Sequence, residues 1–227
     1  MLKEITDNLW HLEHHFSLRG VPYSSRMTVV RLNDGRLCLH SPVPISSAVE
    51  EHLRQLGVVS FILAPSKKHH RFVAECAALF PEAAVFGAPG LMQKREDIAG
   101  LQEIPSTSNP AWWPELECFL FNGIPSMNEM VWFHRASATL ILSDLCQWWR
   151  GELPFLARCY ASLNGVRKQM AVPNTVQMSI HDHFAARLSA ERILQWPYRR
   201  VITAHNVILE NHDVRKLGQA LASFRRN

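Results

Sequence analysis

Short apolar runs bounded by turn residues dominate the first third of the chain. Residues 9–16 read as a strand. Residues 27–32 and 36–40 flank Asn33-Asp34-Gly35, and an Asp-Gly pair between two β-type runs is a hairpin signal. Ser41-Pro42-Val43-Pro44 then breaks the sheet, and Ser46-Ser47 caps a helix that stops at Gly57. A buried strand over 58–63 ends at Ala64-Pro65. It passes through Ser66-Lys67-Lys68-His69-His70 into a helix expected over 68–80. Residues 84–87 form a brief strand, and 101–116, with Pro105, Pro110 and Pro114, read as irregular.

The second half repeats the β-rich pattern. Strands are expected over 116–121, 129–134 and 138–143, the last two joined by the turn Arg135-Ala136-Ser137. Residues 145–163 are apolar and helix-compatible, 176–195 read as an amphipathic helix, and 200–204 as a buried strand. A final helix over 214–224 places Val214, Leu217, Leu221 and Phe224 at three- and four-residue spacing. Two strand-rich halves with interspersed helices predict an α/β (α+β) fold in one domain, residues 1–227. Its two mixed sheets would pack face to face with helices outside, as a four-layer αββα sandwich.

Composition narrows the function classes. At 227 residues and 47% apolar, the chain can bury a sizeable core. The formal charge of +4 is scattered, apart from the pairs Lys67-Lys68, Arg199-Arg200 and Arg225-Arg226, so no nucleic-acid partner is expected. Five cysteines, none in a C-x-x-C pair, read as free thiols of a reducing compartment. No signal-peptide pattern and no apolar run of membrane length is present, which predicts a soluble, cytoplasmic protein with no membrane partner. Phosphate-loop, G-x-S-x-G and Cys-His nucleophile signatures are absent.

The informative polar residues stand at strand ends. His69-His70 follows the strand over 58–63, Asp144 ends Leu140-Ile141-Leu142-Ser143, and His205 ends Val201-Ile202-Thr203-Ala204. Imidazoles and a carboxylate gathered in this way form a metal-ligand set, whereas core packing would favour apolar residues there. Each has a plainer reading beside it: a solvated helix start for the two histidines, a helix cap for Asp144, a strand-end polar group for His205. His181-Asp182-His183 looks like a ligand pair, but within a helix its rings diverge by about 200° and face solvent. His11, His14 and His15 read as structural or exposed. His40 is either a pocket residue or a turn histidine. Glu129 and His134 lie on opposite faces of one strand, so at most one faces a cleft. Trp112-Trp113 and Trp148-Trp149 are packing residues, a substrate rim or a dimer contact.

In order and placement these motifs resemble the metallo-β-lactamase-like superfamily over nearly the whole chain, as a divergent bacterial branch with a degenerate H-x-H-x-D-H motif. Pro65 and Lys67 stand at the motif's first two histidines, His69 at its Asp and His70 at its last His. The histidine that the family places before a hairpin falls near Ile124. Asp144 matches the family's strand-ending Asp and His205 its late His. One of the family's two metal positions is thus replaced by Pro65, Lys67 and Ile124. The other retains His69, His70, Asp144 and His205.

The resemblance implies a single divalent cation on those four residues, Zn²⁺ first, with Fe²⁺ or Mn²⁺ as alternatives. It implies a hydrolase acting on a small ester, thioester, amide or phosphoester, with Asp144 and Lys67 as catalytic residues and Lys67 stabilising an oxyanion. Two rivals follow from the same residues: a metal-stabilised binding module without catalysis, and a mononuclear iron oxidoreductase. Self-association through Trp148-Trp149 would make the protein a homodimer.

Overall fold

The computed structural model describes residues 1–18, 20–105 and 110–225; residues 106–109 of the expected irregular stretch and Arg226 of the terminal basic pair lie outside them. Seven strands form the first sheet in chain order: β1 (Lys3–Thr6), β2 (Leu9–Leu18), β3 (Val21–Arg31), β4 (Arg36–His40), β5 (Val58–Ala64), β6 (Ala84–Gly87) and β7 (Gln102–Glu103). Pairing is antiparallel from β1 to β4 and parallel from β4 to β7. The parallel steps need crossovers, and α1 (Ser47–Leu56) and α2 (Val73–Leu79) supply the first two.

The second sheet runs β12-β11-β10-β9-β8. Its strands are β8 (Leu116–Leu120), β9 (Met130–His134), β10 (Thr139–Ile141), β11 (Arg200–Ile202) and β12 (Ile208–Glu210). Only β10 and β11 pair in parallel, and α3 (Phe155–Leu163), α4 (Asn174–Gln177) and α5 (His183–Gln195) lie on the connection between them. Helix α6 (Arg215–Leu221) follows a 3-10 turn after β12.

Period-two alternation sorts the side chains into layers. On β5, Phe61 and Leu63 join Trp112, Met130, Trp132, Ile141 and Ile202 between the sheets. Ile62 and Ala64 face the other way, onto Val49, Leu53, Val73 and Cys76 of α1 and α2. On the far side Val131, Leu140 and Val201 meet Ala186, Ala190, Ile193, Leu217 and Leu221 of α5 and α6. Helix, sheet, sheet, helix is the αββα sandwich. Each large side chain fully buried in it contributes about 1.5–3 kcal/mol of transfer free energy. Gly57 is needed where α1 turns into β5, because a Cβ there would lie 2.1 Å from the Gly35 carbonyl oxygen.

Local departures from the sequence reading have identifiable causes. The strands expected over 9–16 and 27–32 are longer than their apolar runs, because β2 and β3 continue as a ladder to Leu18↔Val21. Helix α2 begins at Val73 rather than 68, because the Ser66 hydroxyl accepts the N–H of Lys68 (3.2 Å) and of His69 (3.1 Å) and holds the backbone in a turn. Of residues 145–163 only Phe155–Leu163 is helical. Gln147 instead exchanges backbone hydrogen bonds with Ala171, and Gly151 has φ +77°. The helix expected over 176–195 is broken at 178–182. There the His181 N–H goes to the Gly123 carbonyl (2.8 Å), and Asp182 starts α5 afresh by accepting the Ala185 N–H (2.9 Å). His181 and His183 are exposed.

Trp148 and Trp149 are 8% and 3% exposed within their own chain, so the expected self-contact through them has no open ring face to rest on. No helix among the described residues is long and apolar enough to cross a membrane.

Candidate metal centre

Three chain turns converge at one end of the sandwich. The first follows β5, where the Ser66 hydroxyl shapes the corner so that His69 points inward. Ser41, just past β4, sits at φ +55° and donates its N–H to the Leu63 carbonyl (2.9 Å), which sets its hydroxyl 2.9 Å from His69 Nδ1. The second turn follows β10 and carries Asp144. The third follows β11. There the Thr203 hydroxyl donates to the carbonyls of His205 (2.8 Å) and Val207 (2.9 Å) and closes a tight loop around His205.

His205 Nε2 lies 3.0 Å from Asp144 Oδ1, and His69 Nε2 lies 3.3 Å from Asp144 Oδ2. One ligand atom from each of His69, Asp144 and His205 falls within 4.8 Å of the other two. The second nitrogen of each ring is also held. His205 Nδ1 donates to the Ser24 carbonyl (2.6 Å), and His69 Nδ1 meets the Ser41 hydroxyl. The Ser24 carbonyl can only accept, which places the His205 hydrogen on Nδ1 and turns Nε2 to a cation, and the Ser41 hydroxyl is able to accept from His69 Nδ1 in the same way, so the donor set fits a divalent metal. Gln147 completes the surround, donating from Nε2 to Asp144 Oδ1 (2.9 Å) while its Oε1 accepts from Trp149 Nε1 (2.9 Å). The group opens onto a cleft of about 390 Å³ whose walls include Phe16, Tyr23, Ile124, Met127 and Tyr160.

The electrostatics favour an ionised Asp144. Burial pushes its carboxyl upward, but His69 and His205 beside it outweigh that and hold it well below the usual carboxylate range. Burial likewise opposes protonation of His205, whereas the hydrogen bond and the charge of Asp144 favour it, and the net shift is upward.

Of the other residues singled out in the sequence, His70 turns away. Its Nδ1 accepts from Arg95 Nη1 (2.9 Å), and the same nitrogen of Arg95 binds the His70 carbonyl (2.8 Å), so the expected fourth ligand is not part of the cluster. Consecutive residues leave a turn in different directions, and Arg95 fixes which one leaves outward. Burial, then Lys94 and Arg95, push the His70 pKa down to about 4. Lys67 also points elsewhere. Its Nζ donates to the Pro125 carbonyl (3.0 Å), and Lys68 lines the cleft in its place. An oxyanion contact from Lys67 therefore has no geometric basis. His40 is buried in the sandwich against Trp132, with ring centroids 5.7 Å apart, and does not line the cleft.

Residues 6–171, well over half of the chain, match the family model described as a domain of unknown function, DUF4336. The chain belongs to the DUF4336 family. No match to this DUF4336 chain was found among curated proteins. Its fold is similar to that of solved metallo-β-lactamases. One from Pontibacter korlensis is 13% identical with a TM-score of 0.67, over 100% of this chain and 99% of the other. FIM-1 from Pseudomonas aeruginosa, solved in a mono-zinc form, is 10% identical with a TM-score of 0.67, over 100% and 96%. The enzyme from Hirschia baltica is 7% identical with a TM-score of 0.65, over 97% of each chain. The DUF4336 chain thus has the metallo-β-lactamase-like fold.

Two supports of this DUF4336 site were not assigned from sequence. Glu129, fully buried, accepts the backbone N–H of Ser143 (2.7 Å), Asp144 (2.8 Å) and Leu145 (3.0 Å), so one carboxylate holds the whole Asp144 turn. Burial and then Asp144 push its pKa up to about 8, against the pull of those three donors. Arg26, on β3 of the first sheet, pairs with Glu13. It also donates to the carbonyls of Thr203 and Val207 (3.2 Å), anchoring the His205 loop of the second sheet. A signal for Glu129 was available, an acidic residue heading an otherwise apolar run; Arg26 follows two serines and carries none.

Proposed function

We propose that this DUF4336 chain is a hydrolase working with one divalent cation, Zn²⁺ ahead of Fe²⁺ or Mn²⁺, held by His69, Asp144 and His205. The convergence of three ligand atoms within 4.8 Å, beside an open cleft, carries the reading. Catalytic zinc sites keep three protein ligands and one open position, and the set here numbers three. When bound, such a cation acts as a Lewis acid and lowers the pKa of water towards neutrality.

The chain's own residues do the positioning. Ser24 and Ser41 orient the two imidazoles, and Gln147 and Glu129 fix Asp144, which stays anionic across the neutral range. On this reading the substrate is an ester, thioester, amide or phosphoester small enough for the cleft of about 390 Å³.

Pro65, Lys67 and Ile124 favour a second reading, a metal-stabilised binding module without turnover, because none of them replaces a ligand. One experiment separates the two. Protein stripped with chelator and reloaded with zinc is assayed against 4-nitrophenyl carboxylate and phosphate esters. The hydrolase reading expects turnover that vanishes in stripped protein and falls by about 100-fold or more in His205→Ala. Bound metal with no turnover of any ester would leave the binding module.

A further inference from the structure

We infer that the cleft takes an anionic substrate with an apolar or aromatic body, its negative group met by Lys68 and Arg71 and its body by the apolar side chains of the lining. This deepens the proposed hydrolytic reading and rests on it for the identity of the reacting centre. The basis is the make-up of the cleft. The corner after β5 contributes Lys68, His69, His70, Arg71 and Phe72 to its lining. Apolar surface comes from Phe16, Ile124, Met127 and Val176, interspersed with the neutral Ser126, Thr175 and Ser179. Asp144 is the one carboxylate among the described lining residues, and two imidazoles and Gln147 already engage it.

Lys68 and Arg71 are exposed, and neither has a carboxylate within salt-bridge distance among the described residues. Positive charge is also concentrated behind them. Lys94 Nζ donates to the Lys67 carbonyl (2.7 Å), and Arg95 holds His70; of this rear group, Arg95 alone is paired, with Asp97 at 2.7 Å. The same crowding acts on Lys94, whose pKa is lowered by burial and then by Lys68, Lys67 and Arg95. Like charges gathered at a partly desolvated corner cost stability unless a counter-charge arrives, and within a cleft they focus the field on that arrival.

Arg71 is also pre-positioned. Its guanidinium carbon lies 5.3 Å from the centroid of Phe16 and 5.7 Å from that of Phe72. Stacking on two rings restricts a long side chain while leaving its N–H edge free for a carboxylate or phosphate. A neutral substrate would use none of this. An anion with an apolar body uses both the cationic pair and the apolar lining.

The test is direct binding to chelator-stripped protein, measured by calorimetry with phenylphosphonate, phenylacetate and neutral 2-phenylethanol. Removing metal excludes coordination of the probe by a cation. The expected result is that at least one of the two anions binds about tenfold or more tighter than the alcohol. Which anion does so distinguishes a phosphate-type from a carboxylate-type substrate. The Lys68→Ala/Arg71→Ala double variant, both positions being exposed, should melt at or above the wild-type temperature and lose that preference. Lys68→Glu/Arg71→Glu should reverse it. Equal binding of anion and alcohol, an undiminished preference in the double variant, or no binding of any probe would each overturn the inference. Anion binding without turnover of any reloaded ester would sink the hydrolytic reading alone. Turnover of esters without charge preference would sink this one alone.

Discussion

Glu129 accepts the backbone N–H of Asp144 at 2.8 Å, and those of its two chain neighbours at 2.7 and 3.0 Å, so the buried carboxylate fixes the direction in which the Asp144 side chain leaves its turn. Glu129→Gln replaces one acceptor oxygen with an amide donor facing backbone donors. The variant should bind zinc about 10–100-fold more weakly in a competitive chelator titration, the usual cost of losing an outer partner. Unchanged affinity would mean that something else orients Asp144.

Arg26 ties the two sheets together beneath His205. Its guanidinium is 3% exposed and bonds Glu13 as well as the Thr203 and Val207 carbonyls. Arg26→Met strands a partly buried carboxylate and two carbonyls, and should cost about 3 kcal/mol in urea unfolding. A loss within error of zero would contradict the anchoring role.

His40 predicts a pH dependence of stability. Burial, with a smaller push from His69, lowers its pKa to about 3 in the folded protein, against 6.5 as the ordinary value. Between those values the unfolded chain holds a proton that the folded chain does not. Stability is therefore full above the ordinary value and falls as pH drops through the window. His40→Leu should shrink the loss of stability between about pH 7 and about pH 5 by about 2 kcal/mol in denaturant melts. An unaltered slope would show that His40 is protonated in the fold.

The layers were legible because alternation is a local property. Phe61-Ile62-Leu63-Ala64 and Met130-Val131-Trp132 each divide between two apolar environments, and period two records that. Asp144 and His205 were legible for a related reason: each is a polar residue closing an apolar strand. The choice between His69 and His70 was not, because it is made by the Ser66 hydroxyl and by Arg95, which comes from 25 residues further along the chain. Nor was the loss of helix before residue 155. An apolar stretch does not record that the Gln147 backbone pairs with Ala171. A hydrogen bond from far along the chain, Arg95 to His70 in one case and Gln147 to Ala171 in the other, takes part in both.

The three-residue centre is read out in the metal content of purified variants. About one equivalent of divalent metal is expected in the wild-type protein and in His70→Ala, and loss of metal in His69→Ala, Asp144→Ala and His205→Ala. Metal that disappears with His70→Ala, or that persists without His205, would contradict a centre built on His69, Asp144 and His205.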